Sequence, residues 1–429
     1  MDLPVGDPGA LLASAEERRR AVMADLGGRR ATLPLRYWRQ QAHFTAPAAD
    51  ADMARKALER GTAPMARLLD GHRITAADLA DALGADVGIV ADLLERPRQA
   101  PLVVLDGEDA QAPDPEAAET GLRNAVALLG EAAAQGEGVP PLRFFRPPGF
   151  EDSAGVGTLI ALLRLLAERH PGRRLPLDGI VMPKIRHPEE VDLLEEVLRL
   201  AEADLGLPSP AIRLALLVES GWAVAQLPEI ARRAASRLCA LIYGPVDHAA
   251  DVGLPAITSG HPVAELARAT IVNVAGAVGV PAIDGMTLDY PVADPALDKA
   301  ANRTRFLDRV ALVHREAVRA RTLGMLGKWV GHPAQLFAVL VAFDEALAPD
   351  ALAGAAATLE AYRSAIAVTG RGATIIEGAM ADRATDRHSR VLLRQAVAMG
   401  RFDPARALEL EVIAPGELAE ARALQAAAR

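Results

Sequence analysis

Residues 213–247 read RLALLVESGWAVAQLPEIARRAASRLCALIYGPVD. An apolar run, Arg213–Glu219, ends on a carboxylate, and a helical stretch, Val224–Arg237, follows. A second apolar run, Cys239–Gly244, then leads into Pro245-Val246-Asp247. Runs this continuously apolar belong to strands covered on both faces, and a helix between two such strands makes their pairing parallel. The same unit recurs outward in both directions. Further strand-like runs lie at His43–Pro47, Leu102–Asp106, Leu142–Arg146, Gly179–Pro183, Pro281–Asp284 and Gly327–Val330. Helical stretches separate them at Glu116–Glu131, Val156–Arg169, Glu189–Leu205, Val263–Val278, Pro295–Leu323 and Pro333–Ala346. Eight strand–helix units predict an α/β fold that closes as a (β/α)8 TIM barrel.

The barrel is expected over 42–347, with an enlarged first crossover, 48–100, that holds extra helical material. Residues 1–41 read as an N-terminal helical arm, with Ser14 and Glu17 at capping-box spacing and Gly27-Gly28 as its stop. After Pro349 the strand signal ends, and 348–429 reads as a small all-α C-terminal lid domain. With 429 residues, 51% of them hydrophobic, the chain can bury a large core. Its 47 Lys+Arg against 56 Asp+Glu leave a net charge of −9, and no basic stripe is present to neutralise phosphates, so no nucleic-acid partner is expected. The single cysteine, Cys239, excludes a disulfide framework and reads as a buried, inert thiol. No uncharged apolar stretch is long enough for a membrane span, and the acidic, polar start lacks a secretory pattern. The expectation is a cytoplasmic protein.

In a parallel barrel the chemistry collects where strands end and helices begin. Here those positions carry Asp106-Gly107-Glu108-Asp109, Arg143 to Arg146 ahead of Pro147-Pro148-Gly149, Glu219-Ser220, Gly244-Pro245-Val246-Asp247 and Asp284-Gly285. Each carboxylate fits a helix N-cap as well as a ligand, although Glu is a poor N-cap. Glu219 and Asp247 end consecutive strands, about 5 Å apart, and two carboxylates that close repel unless a cation or proton lies between them. Hard oxygen donors with room for water suit Mg²⁺, with Mn²⁺ as the alternative. A hydrogen-bonded carboxylate pair is the plain reading of the same residues. Arg146, fixed by the following prolines, suits an oxyanion clamp, or a salt bridge to Glu108 or Asp109, or both.

Taken together, the motifs resemble the HpcH/HpaI aldolase and citrate lyase β-subunit superfamily, in particular its malyl-CoA and citramalyl-CoA lyases. The matching stretches are Val104–Ala110, Val181–Ile185, Leu217–Ser220, Gly244–Asp247, Gly279–Gly285 and Leu323–Gln335. To these add Ala361–Thr369, Gly372-Ala373 and Glu377–Asp382. Coverage is roughly residues 42–400. The resemblance implies a Mg²⁺-dependent carbon–carbon lyase or aldolase acting on a β-hydroxyacyl-CoA, with an acyl-CoA and a 2-oxo acid such as glyoxylate as the cleaved pair. It implies Glu219 and Asp247 as metal ligands and a strand-three arginine that stabilises developing charge. An Arg-x-Asn register would select Arg143, and an Arg-Pro-x-Gly register selects Arg146, which is preferred for its place at the strand end. It further implies Asp382 as the acid/base, delivered into a neighbouring subunit of a homotrimer or homohexamer.

Arg143, Glu108, Asp109, Asp284 and Lys328 are weaker candidates for substrate or CoA contacts. Lys328 equally fits a solvated lysine, His332 reads as the start of the last barrel helix, and Lys184 reads as a supporting residue rather than a Schiff-base lysine. His187 and His248 lack the spacing of a transition-metal site. The chain departs from the family pattern at Gln41-Ala42 and at Ser220-Gly221-Trp222, which bears on substrate. Two rival readings share the fold: malate-synthase-like condensation with thioester hydrolysis (or a malyl-CoA thioesterase), and a non-catalytic complex subunit.

Overall fold

The computed structural model describes residues 8–28, 33–109, 114–134, 141–172, 174–257, 260–369, 373–376 and 379–428. Helix α1 (Pro8–Gly28) and a 3-10 turn, Leu35–Trp38, precede the first strand. The barrel strands are β1 (Ala42–Pro47), β2 (Leu102–Asp106), β3 (Leu142–Arg146), β4 (Gly179–Met182), β5 (Arg213–Val218), β6 (Leu238–Tyr243), β7 (Ala282–Asp284) and β8 (Gly327–Val330). Each pairs with its successor in parallel, and β8 pairs back onto β1 to close the barrel. All eight fall on the apolar runs of the sequence, within a residue or two at their ends.

Four helices fill the long first crossover: α2 (Ala51–Arg60), α3 (Pro64–His72), α4 (Ala76–Leu83) and α5 (Val87–Glu95). The remaining crossovers hold α6 (Pro115–Ala134), α7 (Gly155–Arg169), α8 (Pro188–Asp204), α9 (Gly221–Arg233), α10 (Pro245–Asp251), α11 (Pro262–Val278) and α12 (Lys299–Leu323). Helix α13 (Pro333–Glu345) follows β8. Strand periodicity sorts the side chains into two cores. Leu102, Val104, Leu142, Phe144, Leu217, Ile242 and Ile283 fill the barrel lumen. Their alternates Val103, Leu105, Phe145, Leu216 and Leu241 pack outward under the helices.

Beyond the barrel come α14 (Pro349–Thr369), β9 (Ala373–Ile376), β10 (Ala379–Asp382), α15 (Arg383–Ala398), α16 (Pro404–Glu409) and α17 (Leu418–Ala428). These helices share a separate core of Leu359, Leu393, Val397, Ala421 and Leu424, joined by Leu35. Two local differences from the sequence reading appear. The C-terminal segment is not wholly helical, because β9 and β10 pair as an antiparallel ribbon. Its Thr374-Ile375-Ile376 run is β-branched and suits extended backbone. In the arm, α1 starts at Pro8, so Ser14 lies inside the helix and caps nothing. The motif residues Ala110, Gly372, Glu377 and Gly378 lie outside the described residues.

Candidate active site

The C-terminal strand ends surround a cavity of about 570 Å³. Inward-facing parity selects which residues reach it. On β2 and β3 the lumen positions run Leu102, Val104, Asp106 and Leu142, Phe144, Arg146, and register pairs Asp106 with Arg146. The pair is bidentate: Arg146 Nε donates to Asp106 Oδ1 at 2.8 Å and a terminal nitrogen donates to Oδ2 at 2.5 Å. The other terminal nitrogen lies 3.0 Å from Glu108 and 3.2 Å from Asp109. The guanidinium carbon sits 5.7 Å from the Trp329 ring centre. Burial alone would lower the Arg146 pKa, but Asp106, then Glu108 and Asp109, drive it upward overall, so its charge is permanent.

Glu219 follows β5 and is 5% exposed. The backbone N–H of Lys184 donates to its Oε1 at 2.6 Å. Lys184 holds a left-handed φ of 56°, which a non-glycine residue adopts at a cost of roughly 1–3 kcal/mol, and its ammonium lies 2.7 Å from Glu108. Gly244, at the end of β6, backs onto Glu219. A Cβ there would come within 2.6 Å of Glu219 Cβ and 2.8 Å of Oε2. Asp247, in the first turn of α10, lines the same cavity. Desolvation raises the Glu219 pKa to about 7, with Asp247 and Glu108 adding repulsion against the Lys184 hydrogen bond and Arg146. Among the described residues no side-chain cation forms a direct ion pair with Glu219, so a bound cation would offset its repulsion with Asp247.

The donor set suits a hard divalent ion. Two carboxylates at adjoining strand ends, in a cavity with room for water, match Mg²⁺, which keeps several waters and needs few protein ligands. Among the described residues no cluster of three or more His, Cys, Asp or Glu is arranged to hold a metal. His248 accepts or donates at Nδ1 to the Tyr243 hydroxyl, and His187 pairs with Gln226. His332 accepts from Ala334 N–H and caps α13. Cys239 is fully buried, and burial pushes its thiol pKa up.

Glu108 and Asp109 reach the Arg146–Lys184 cluster. Burial raises the Glu108 pKa against the pull of Arg146 and Lys184, whereas Arg146 and Lys184 overcome burial and lower that of Asp109. Three other candidates from the sequence are not brought there. Arg143 is three residues before Arg146, hence on the opposite strand face and at the far end of the barrel, beside Asp178. Asp284 and Lys328 are register partners on the outward face. Lys328 Nζ donates to Asp284 at 2.9 Å and to the Gly285 carbonyl at 2.6 Å, so it is a buried ion pair rather than a phosphate contact. Arg268 donates to the other Asp284 oxygen, and these cations lower the Asp284 pKa despite its burial.

Asp382 ends β10 and caps α15, accepting from Ala384 and Thr385 N–H. Those amide bonds hold its carboxyl below the usual range. Lys184 stands here as a supporting residue, and Asp106 is the member of this cluster that the sequence candidates lack. The signal for Asp106 was present, since counting inward parity along Leu102–Asp106 and Leu142–Arg146 sets the two side by side.

The family described as "Domain of unknown function (DUF6986)" matches residues 35–426. An L-malyl-CoA/β-methylmalyl-CoA lyase of Haloarcula marismortui is 29% identical over 234 residues, 54% of this chain and 64% of that protein. The matched stretch thus spans slightly under two thirds of that relative's length. A citrate lyase of Burkholderia xenovorans LB400 has a similar fold, with a TM-score of 0.58 at 21% identity over 88% of this chain and 96% of that one. The CitE protein of Mycobacterium tuberculosis, solved with magnesium, acetoacetate and coenzyme A, gives a TM-score of 0.51 at 21% identity, covering 83% and 98%. The two structures establish the shared fold.

Proposed function

We propose that this chain, which belongs to the DUF6986 family, is a divalent-metal-dependent carbon–carbon lyase that cleaves a β-hydroxyacyl-CoA of malyl-CoA type, or forms it, with a 2-oxo acid such as glyoxylate as the other partner. The observation that carries the reading is the buried Glu219, its pKa raised to about 7, sharing a barrel-mouth cavity with Asp247 and with Arg146. The likeness to a malyl-CoA lyase and to a CitE protein solved with magnesium and coenzyme A supports it.

Glu219 and Asp247 would hold the ion. A bound Mg²⁺ supplies Lewis-acid polarisation of the 2-oxo acid and charge neutralisation between the two carboxylates. Asp106 fixes the plane of Arg146, so one edge of the guanidinium is committed to the protein. The nitrogen shared by Glu108 and Asp109 faces substrate. Asp109, 48% exposed at its side chain, occupies the place that a substrate oxyanion takes on binding. In the condensing direction a carboxylate base removes the α-proton of the acyl thioester, and the C–H electron pair moves onto the thioester carbonyl as an enolate. The α-carbon then attacks the oxo carbon, whose oxygen takes the displaced pair as an alkoxide beside Arg146 and is protonated afterwards. Cleavage is the reverse. The base is Asp382 of an adjoining subunit. In its own chain amide bonds keep it weakly basic, and docking into a dehydrated mouth would raise its pKa toward the working range.

Incubating the purified protein with malyl-CoA and related thioesters plus Mg²⁺ tests the reading. A lyase releases glyoxylate, trapped as a hydrazone, without free thiol. A malate-synthase-like hydrolysis releases thiol instead. No turnover of any such ester by folded protein overturns the proposal.

A further inference from the structure

A second cavity, about 370 Å³, lies at the opposite end of the barrel, where α17 closes over the start of β3 and the loop before β4. Arg36, Arg143, Arg174 and His170 line it, with Glu420 as the acidic residue on its wall. Arg143 is the unusual member. The residue is 7% exposed, and its Nε and Nη1 are buried with no hydrogen-bond partner among the described residues. The nearest carboxylate, Asp178, stands 4.0 Å from Nε. That carboxylate is already engaged, accepting from Arg36 at 2.6 Å, from Arg174 at 3.2 Å and from the Arg143 backbone N–H at 2.9 Å. Among the described residues Arg36 Nε also has no partner, while its backbone N–H donates to Glu420 at 3.1 Å.

A guanidinium cannot shed its charge by deprotonation, and Arg143, with Asp178 only as near as 4.0 Å and engaged by other donors, keeps two N–H groups available to a further anion. Among the described residues, three guanidinium groups face the cavity against Asp178 and Glu420, which leaves a net positive charge. Planar N–H donors of this kind match the paired oxygens of a carboxylate or phosphate. We propose that this pocket is an oxyanion site, taking a small carboxylate or phosphate compound on Arg143 with Arg174 at its entrance. Because Arg36 belongs to the turn before β1 and Glu420 to α17, an occupant also ties the C-terminal helix to the base of the barrel.

Calorimetric titration of the full chain with inorganic phosphate and, in a separate arm, with malonate tests this and tells the two sources apart. At least one is expected to bind saturably and to raise the melting temperature. Arg143→Met, which keeps the stem and removes the donors, should weaken that binding at least tenfold. Glu420→Gln, which removes the opposing carboxylate, should tighten it several-fold, and this variant serves if Arg143→Met does not fold. Absence of saturable binding in both arms, or affinities unchanged in the variants, overturns the site.

Discussion

Arg146 shows how one side chain is prepared by its neighbours. Its Nε and one terminal nitrogen are spent on Asp106, and both partners are almost fully buried. Asp106→Asn keeps the shape and removes the charge. The guanidinium should then tilt toward Glu108 and Asp109, with a loss of roughly 10²-fold in kcat/KM and up to about 3 kcal/mol of stability. Steady-state kinetics beside a denaturant melt would separate the two effects. Glu219 carries the second argument at this scale. Burial pushes its carboxyl up to about 7, so below neutrality a proton would compete with the proposed metal. Mg²⁺ titrated calorimetrically should bind about tenfold more weakly at pH 6 than at pH 8, and Glu219→Gln should abolish the dependence along with most of the affinity.

Strand parity decides which charged groups meet. Arg143 and Arg146 stand three positions apart, and that odd spacing sends one to the outer face at the base and the other into the mouth. Asp284 closes β7 and Lys328 lies within β8, yet both point outward, where Asp284 accepts from Lys328 and from Arg268. The list of strand-end charges is legible in the sequence. The face each occupies needs the register, which no single strand contains. The β6 end adds a packing requirement, since Gly244 lies against Glu219 with no room for a methyl group. Gly244→Ala should leave the fold intact and push Glu219 aside, lowering Mg²⁺ affinity by roughly tenfold, read by the same titration.

Across the whole molecule, the proposed in-trans base makes a direct prediction. Glu219→Gln and Asp382→Asn, each inactive alone, should recover part of the activity when co-expressed as mixed oligomers, because some mouths then combine an intact metal pair with an intact base. Failure of mixing to restore activity would leave Asp382 without its role. Acid stability is the other molecular property. Burial lowers the His43 pKa to about 3 and those of His314 and His332 to about 4, below the value of about 6.5 in an unfolded chain. The stability tied to these neutral rings is fully present above pH 6.5 and is lost as pH falls toward their folded values. His43 alone accounts for about 2 kcal/mol between pH 6.5 and 5. Glu219 acts with the opposite sign, since its raised pKa lets the folded state take up a proton first as pH falls through 7. Glu219→Gln should therefore lose stability more steeply with acid than the parent, as followed by chemical denaturation at pH 7, 6 and 5.

The amino-acid sequence by itself determined the barrel. Eight apolar runs separated by helical stretches are local patterns, and parallel pairing with closure follows from them. It also supplied the strand-end carboxylates, because chain position alone carries them to one rim. Tertiary structure decided the rest. The Asp106–Arg146 pair, the Lys184 amide aimed at Glu219, the outward Asp284–Lys328 pair and the unpartnered Arg143 at the base all depend on register between strands and on backbone conformation at one loop. Those are long-range geometric quantities, and no window of the chain encodes them.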